Sequence, residues 1–303
     1  MSPRMHAAVT GATGLLGKHL LRALDAPIAL CRDPARAAAS LPGARLRKWD
    51  PLAGADTAGA LDGADVVYHL AGEPVADTRW SDAQKARIRD SRVLGTRALV
   101  TAMEGAAQRP SVLVSASAVG FYGDRGDEVL DETSTGGSDF LASVCAAWEA
   151  EAMAAGRLGV RVVCVRMGIV LAREGGALAK MLPPFKLGAG GRLGNGRQWM
   201  PWVHLDDAVG LLLHAASTPS LRGPMDAVSP NLVTNADFTA ALGHALHRPA
   251  VIPVPNFALR VAFGEMAAVL TASQRALPRA AVASGYAFRY PELAGALADL
   301  VGG

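Results

Sequence analysis

MHAAVTGATGLLGKHLLRAL, residues 5–24, is a short apolar run that meets a turn of spaced glycines and continues as a helical pattern. The run has the length and lack of charge of a strand covered on both faces. Gly11, Gly14 and Gly17 form a G-x-x-G-x-x-G spacing, and a second apolar run, PIALC (27–31), follows about one helix later, which completes a β-α-β unit. Glycine allows the tight turn and the close approach of backbone to a ligand. The helix that follows presents free amide N–H groups and the positive end of its dipole to a pyrophosphate. Gly11, Thr13, Gly14, Leu15, Leu16 and Gly17 are therefore expected to cradle a dinucleotide.

The alternation continues outward from this unit. DVVYHLAG (65–72) reads as a strand, QKARIRDSRVLGTRALVTAMEGA (84–106) as a long helix, SVLVSASA (111–118) as a strand, and 139–155 as a helix before the β-branched run VRVVCVRMGIVL (160–171). Residues 1–172 are thus expected to form an α/β, Rossmann-like, doubly wound parallel sheet, with later segments around 200–230 returning to it. Residues 173–303 change character. A Gly- and Pro-rich stretch reads as loops around one short helix, and helices are expected over 205–217, 234–247 and 256–271, giving a smaller, mainly helical C-terminal substrate subdomain.

Bulk properties exclude several classes. Half the residues are hydrophobic, which sets disorder aside. The net charge of +3 comes from basic residues scattered among acidic ones, so no stripe tracks a phosphate backbone and nucleic acid is not an expected partner. No run approaches the roughly 20 apolar residues of a membrane helix, so no membrane is expected either and the expectation is a cytoplasmic protein. Cys31, Cys145 and Cys164 are widely spaced, which indicates neither a disulfide framework nor a zinc site.

The end of the second strand bears on the cofactor. A carboxylate there suits the ribose of NAD, whereas an arginine accommodates a 2′-phosphate. The chain reads Cys31-Arg32-Asp33. Arg32, with its planar fork, favours NADP(H); Asp33, one place further on, keeps NAD open. Asp50, near the end of the third strand, is a candidate for the adenine, with a capping role before Pro51 as the competitor.

GATGLLG, HLAGEPVA (69–76), SASAVGFYGD (115–124) and MPWVHLDD (200–207), in this order, resemble the extended short-chain dehydrogenase/reductase superfamily. RWSDAQKARIRDSRVLGTRAL, GGALAKMLPPFKLGAGGRLGNGRQWMPWVHLDD and PVPNFALRVAFGEMAAVL narrow the likeness to the epimerase-like family that includes short-chain dehydrogenase/reductase family 39U. The resemblance implies an NADP(H)-binding oxidoreductase or epimerase-like protein, with Leu70, Ala71, Gly72, Arg92 and Ile169 beside the dinucleotide. A homodimer through two long helices is implied by the superfamily alone.

The same resemblance implies a Tyr four residues before a Lys on the helix over 139–155, and the chain has neither. Phe140 or Leu141 stands in place of the Tyr, Val144 or Cys145 in place of the Lys. Ser117 matches the strand serine that supports the reacting oxygen, and Tyr122 and His204 are the remaining groups able to handle a proton. Each has a structural alternative: a backbone-satisfied hydroxyl, a turn tyrosine and a helix-entry residue. Glu73, Arg79, Trp80, Gln198 and Trp202 are candidates for a small-molecule substrate's wall. A nucleotide-binding sensor or scaffold without catalysis is the competing function.

Overall fold

The structure, a computed structural model, describes residues 5–51 and 59–302. Seven strands form the central sheet: β1 (Ala7–Thr10), β2 (Ile28–Cys31), β3 (Arg45–Lys48), β4 (Val66–His69), β5 (Val112–Ala118), β7 (Arg161–Met167) and β10 (Gly223–Ala227). The short strands β6 (Val129–Leu130) and β11 (Arg275–Ala276) pair with each other, as do β8 (Ile169–Leu171) and β9 (Trp202–His204). The main sheet is parallel throughout, in the order β10-β7-β5-β4-β1-β2-β3. The chain reverses direction across the sheet between β1 and β4, and such a switch point opens a crevice at the C-terminal strand ends.

Side chains alternate across β1. Ala7 and Val9 face α1 (Leu15–Arg22) and α6 (Leu205–Ser217), in one core with Leu20, Leu205 and Leu212. Ala8 faces the opposite layer, where Leu99 and Met103 of α3 (Asp82–Glu104) and Ala152 of α4 (Phe140–Met153) cover Val67 and Leu113. A run buried on both faces is what an uncharged strand requires. The remaining helices are α2 (Pro34–Ala38), α5 (Gly176–Lys186), α7 (Asn235–Ala245), α8 (Asn256–Phe263), α9 (Ala267–Thr271), α10 (Arg279–Ala283) and α11 (Leu293–Val301). A separate core joins Leu178 and Phe185 of α5, Phe238 of α7 and Leu297 of α11 around Trp202.

Four expectations are corrected. The run 160–171 is two strands, because a Cβ on Gly168 would stand 2.4 Å from the Pro201 carbonyl oxygen; the chain bends there and β8 leaves the main sheet. The strand expected to reach residue 72 ends at His69. The helix expected over 256–271 breaks at Gly264, whose φ of 62° lies in the left-handed region. Asp33 starts a helix the sequence reading did not include: its carboxylate accepts from Arg36 N at 3.0 Å, and Pro34 begins α2.

Candidate functional site

The crevice is built on Gly11. Its φ is +66°, and a Cβ there would lie 2.6 Å from the Leu70 carbonyl carbon, so the loop after β1 rests directly on the loop after β4. A Cβ on Gly17 would reach within 2.3 Å of Gly11 O, which explains the third glycine. The Thr10 hydroxyl accepts from Leu70 N (3.1 Å) and Ala71 N (3.3 Å) and lies 2.7 Å from His69 Nδ1. With both lone pairs used, the hydroxyl gives its proton to Nδ1, leaving His69 Nε2 to donate to Thr96 Oγ1 at 2.9 Å. That tautomer is neutral. Burial, with Arg92 nearby, pushes the imidazole down to about 4, so the floor of the crevice keeps one protonation state near neutral pH.

Gly11, Thr13, Gly14, Cys31, Arg32, Asp50, Leu70, Ala71, Gly72 and Glu73 all line one cleft of about 310 Å³. Thr13, Cys31 and Arg32 also border a recess of about 640 Å³, where Arg36 and Ser40 join them. Neither guanidinium is in an ion pair among the described residues. Glycine cradle, free helix amides and paired guanidiniums are a donor set for a dinucleotide with an extra phosphate. Asp33 borders the same recess, and one of its carboxylate oxygens caps α2 by accepting from Arg36 N. Leu15 and Leu16 lie on α1 behind the loop, packed against the core, with Leu15 reaching Gly175. Arg92 sits beside Gly72, donates to Glu73 O at 3.0 Å and stacks over Trp148 of α4.

The C-terminal end of β5 carries Ser117, and its hydroxyl donates to Glu149 Oε1 at 2.6 Å. Glu149, on α4, receives two bonds from Arg166 of β7 (2.8 and 2.9 Å). Arg166 also donates to the Tyr122 hydroxyl at 3.1 Å, and that hydroxyl lies 2.7 and 2.9 Å from the two carboxyl oxygens of Asp226. Ser117, Tyr122, Arg166 and Asp226 are buried, Glu149 is partly so, and together they form one continuous polar chain. Burial, added to the nearby Glu132 carboxylate, pushes Asp226 up to about 8. Burial and Asp226 likewise hold the Tyr122 phenol well above its ordinary range, so it stays protonated. Burial alone would lower Arg166; its bonds to Glu149 outweigh that and keep it charged.

Other expected residues lie elsewhere. His204 caps α6 by accepting from Asp206 N at 3.1 Å, stacks on Tyr290 at 3.8 Å and lies 3.3 Å from an Asp299 oxygen. Trp202 is in the C-terminal core and donates to Asn231 O. Gln198 is buried, its amide donating to Leu193 O and Leu270 O. Ile169 is half-buried against the same core, its N–H on Pro201 O. Arg79 donates to Val261 O. Trp80 and Phe140 meet edge to face at 5.2 Å in the wall of a third cavity of about 580 Å³, whose lining also includes Asn256, Arg260 and Thr271. Phe140 is the first residue of α4, and Val144 is buried one turn on. Most cofactor candidates line the one cleft, whereas Ser117 is buried at the end of β5 and is not part of that lining; Trp202 and Ile169 belong to the C-terminal core, with His204 stacked at its edge on Tyr290.

The sequence reading missed Arg36, Glu149, Arg166 and Asp226. Arg166 left a signal, the one charge inside the apolar run VVCVRMG, which a buried segment tolerates only when the charge is paired; Glu149 shares CAAWEAEAM with Glu151 and is less conspicuous. Nothing in the sequence says that the two meet.

Fold, glycine cradle and crevice define a dinucleotide-binding protein of the extended short-chain dehydrogenase/reductase type. Residues 7–227 match the NAD dependent epimerase/dehydratase family, and the chain belongs to it. Residues 254–300 match a domain of unknown function, DUF1731. The chain is 39% identical to the chloroplastic epimerase family protein SDR39U1 homolog of Arabidopsis thaliana, over 97% of this chain and 86% of that one. It is 36% identical to epimerase family protein SDR39U1 of Homo sapiens, over 98% and 100%. The crystal structure of the human protein (isoform2) with NADPH superposes with a TM-score of 0.88 at 34% identity, covering 98% of this chain and 99% of that one.

Proposed function

We propose that this chain is an NADP(H)-dependent oxidoreductase or epimerase-like enzyme acting on a small molecule, in which Ser117 and Glu149 together handle the proton that the missing Tyr and Lys would have handled. The observation that carries the reading is the 2.6 Å hydrogen bond between them, backed by Arg166. The cofactor, when bound, supplies or accepts the hydride. Arg32 and Arg36 hold its 2′-phosphate, the amides at the start of α1 its pyrophosphate, and Arg92 stands by Gly72 at the other end. NADPH in the human relative supports this choice.

The chain's own part is the proton. When a substrate hydroxyl is oxidised, its proton passes to Ser117 Oγ as Ser117 releases its own to Glu149; reduction of a carbonyl reverses both moves. Arg166 fixes the carboxylate, and Tyr122 holds Arg166 in turn. His204 has no part, since its ring is enclosed by Tyr290 and Asp299.

Purified protein would be mixed with NADPH and a panel of aldehydes, ketones and quinones while absorbance is followed. Turnover that disappears in Ser117→Ala, with NADPH affinity retained, is the expected result. Tight NADPH binding without turnover across the panel would establish the second reading, a nucleotide sensor that signals through the loop at 186–202. Phe140 and Val144, which offer no proton at the start of α4, are the observation in its favour.

A further inference from the structure

The most exposed large apolar side chains are not scattered. Among the described residues the four highest are Leu187 (84%), Val251 (78%), Val261 (73%) and Phe257 (71%); Val282 on α10 (55%) stands apart from them, and Ile252 (52%) is beside Val251. The four and Ile252 come from two segments that run side by side. Arg248 Nε donates to Lys186 O, Ile252 N to Gly190 O and Val254 N to Arg192 O, while Gly194 N returns to Val254 O. Phe257 and Val261 are four residues apart on α8 and so share one face of it. Monomeric proteins seldom leave such a cluster uncovered without a use for it.

Charge decides what covers it. Residues 175–205 and 238–264 contain no Asp or Glu. Lys186, Arg192, Arg248 and Arg260 are exposed within them, and among the described residues none of the four is in an ion pair. A second copy of the chain is disfavoured, because a two-fold contact sets the patch against itself and brings these cations together. The occupant is anionic. It is also not an inserted peptide: none of the five apolar side chains lines the cavities described above, and they project from a helix end, a loop and a short helix rather than walling a groove.

We propose that this face adsorbs to an anionic lipid surface, with Leu187, Val251, Ile252, Phe257 and Val261 entering the interface and the four cations meeting lipid phosphates. No described helix is long and apolar enough to cross a membrane, and adsorption requires none. Arg260 and its neighbour Asn256 also line the cavity that contains Phe140, so that cavity opens at the edge of the adsorbing face. The inference stands whether or not the chain is catalytic.

The full chain would be sedimented with vesicles of phosphatidylcholine alone and of equimolar phosphatidylcholine and phosphatidylglycerol, at low and high salt. Binding to the anionic vesicles only, released by salt, is expected. Lys186→Glu with Arg248→Glu should weaken it by at least about fivefold per charge, and Phe257→Ser with Val261→Ser should abolish it. All four positions are exposed, so each variant should keep the wild-type thermal midpoint and NADPH affinity, which shows that it is folded. Wild-type protein left in the supernatant with both vesicles, or binding indifferent to the variants, overturns the proposal. So does a dimer in sedimentation velocity that Val261→Glu dissociates, since the face would then be covered by a second copy.

Discussion

The Arg166 guanidinium and the Glu149 carboxylate meet through two parallel hydrogen bonds while exposing only 4% and 12% of their side chains. A buried pair of this kind is costly to break from one side, because the survivor keeps its charge and loses its partner. Glu149→Ala should therefore destabilise the fold by about 3–5 kcal/mol, read from urea unfolding. Replacing both, as Glu149→Leu with Arg166→Met, removes the stranded charge and should cost clearly less than the sum of the single changes. Additive losses would mean that the two side chains are not coupled.

Gly11 links the phosphate loop to the loop after β4, and it has no room for a Cβ and a φ that disfavours one. Gly11→Ala should lower stability by about 1–3 kcal/mol and weaken NADPH binding far more than the same change at Gly43. Gly43 also has a positive φ but meets nothing within 4 Å. Equal loss of NADPH affinity in the two variants would remove Gly11 from the site.

Much of this architecture was legible because its signals are local. Uncharged four-residue runs became β1, β2 and β4, and the glycine spacing before Leu15 became the crevice. What the sequence concealed depends on contacts across long separations. Gly168 reads as one more strand residue until Pro201 is placed against it, and Gly264 as a helical position until its φ is known. His204 and Trp202 look like members of a closing loop because MPWVHLDD is rich in functional residue types. Their surroundings, Tyr290, Asp299 and Asn231, lie far along the chain. Glu149 was passed over for the same reason: its partners Ser117 and Arg166 lie on two different strands.

Asp226 gives the fold a dependence on pH. Its carboxyl, near 3.8 when unfolded, is pushed up to about 8 by burial and by Glu132. Between those values the folded chain keeps a proton that the unfolded chain has released. Stability therefore falls as pH rises through that window, by at most about 1.4 kcal/mol per unit, and levels off above it. His69 acts in the opposite sense: it is held neutral when folded, down to about 4, so it adds stability as pH rises toward its unfolded value of 6.5. Asp226→Asn should remove the first slope and keep the second. Unfolding midpoints of both proteins between about pH 5 and 8 are the measurement, and identical pH profiles would contradict the assignment.

Arg32 and Arg36 border one recess with Thr13, Ser40 and Asp33, and one oxygen of the Asp33 carboxylate caps α2. A bond from a charged donor to a phosphate is worth about 1.5–3 kcal/mol. Arg32→Ala and Arg36→Ala should each weaken NADPH by roughly ten- to a hundredfold and leave NADH nearly unchanged, as calorimetry can show. Asp33→Ala should reduce stability through the lost cap without tightening NADH. Loss of NADH affinity equal to that of NADPH would show that these arginines do not read the 2′-phosphate.

The start of α4 shows why the missing pair cannot simply be put back. Phe140 is half-buried against Trp80, with Lys85 Nζ 5.7 Å from its ring and that ammonium in turn paired with Glu265. A hydroxyl added to the ring edge of so accessible a residue has water within reach, so Phe140→Tyr should fold with stability within about 0.5 kcal/mol of the parent. Val144 differs: it is 3% exposed. Val144→Lys would bury an ammonium one residue from Cys145, on which the positive charge of Arg92 already acts. The expected cost is above about 2 kcal/mol, with the lysine driven toward its neutral form. The double variant should then show no gain in NADPH turnover over Phe140→Tyr alone. A stable, faster Phe140→Tyr/Val144→Lys protein would mean that the site still accepts the ordinary Tyr and Lys, and that Ser117 with Glu149 had not replaced them.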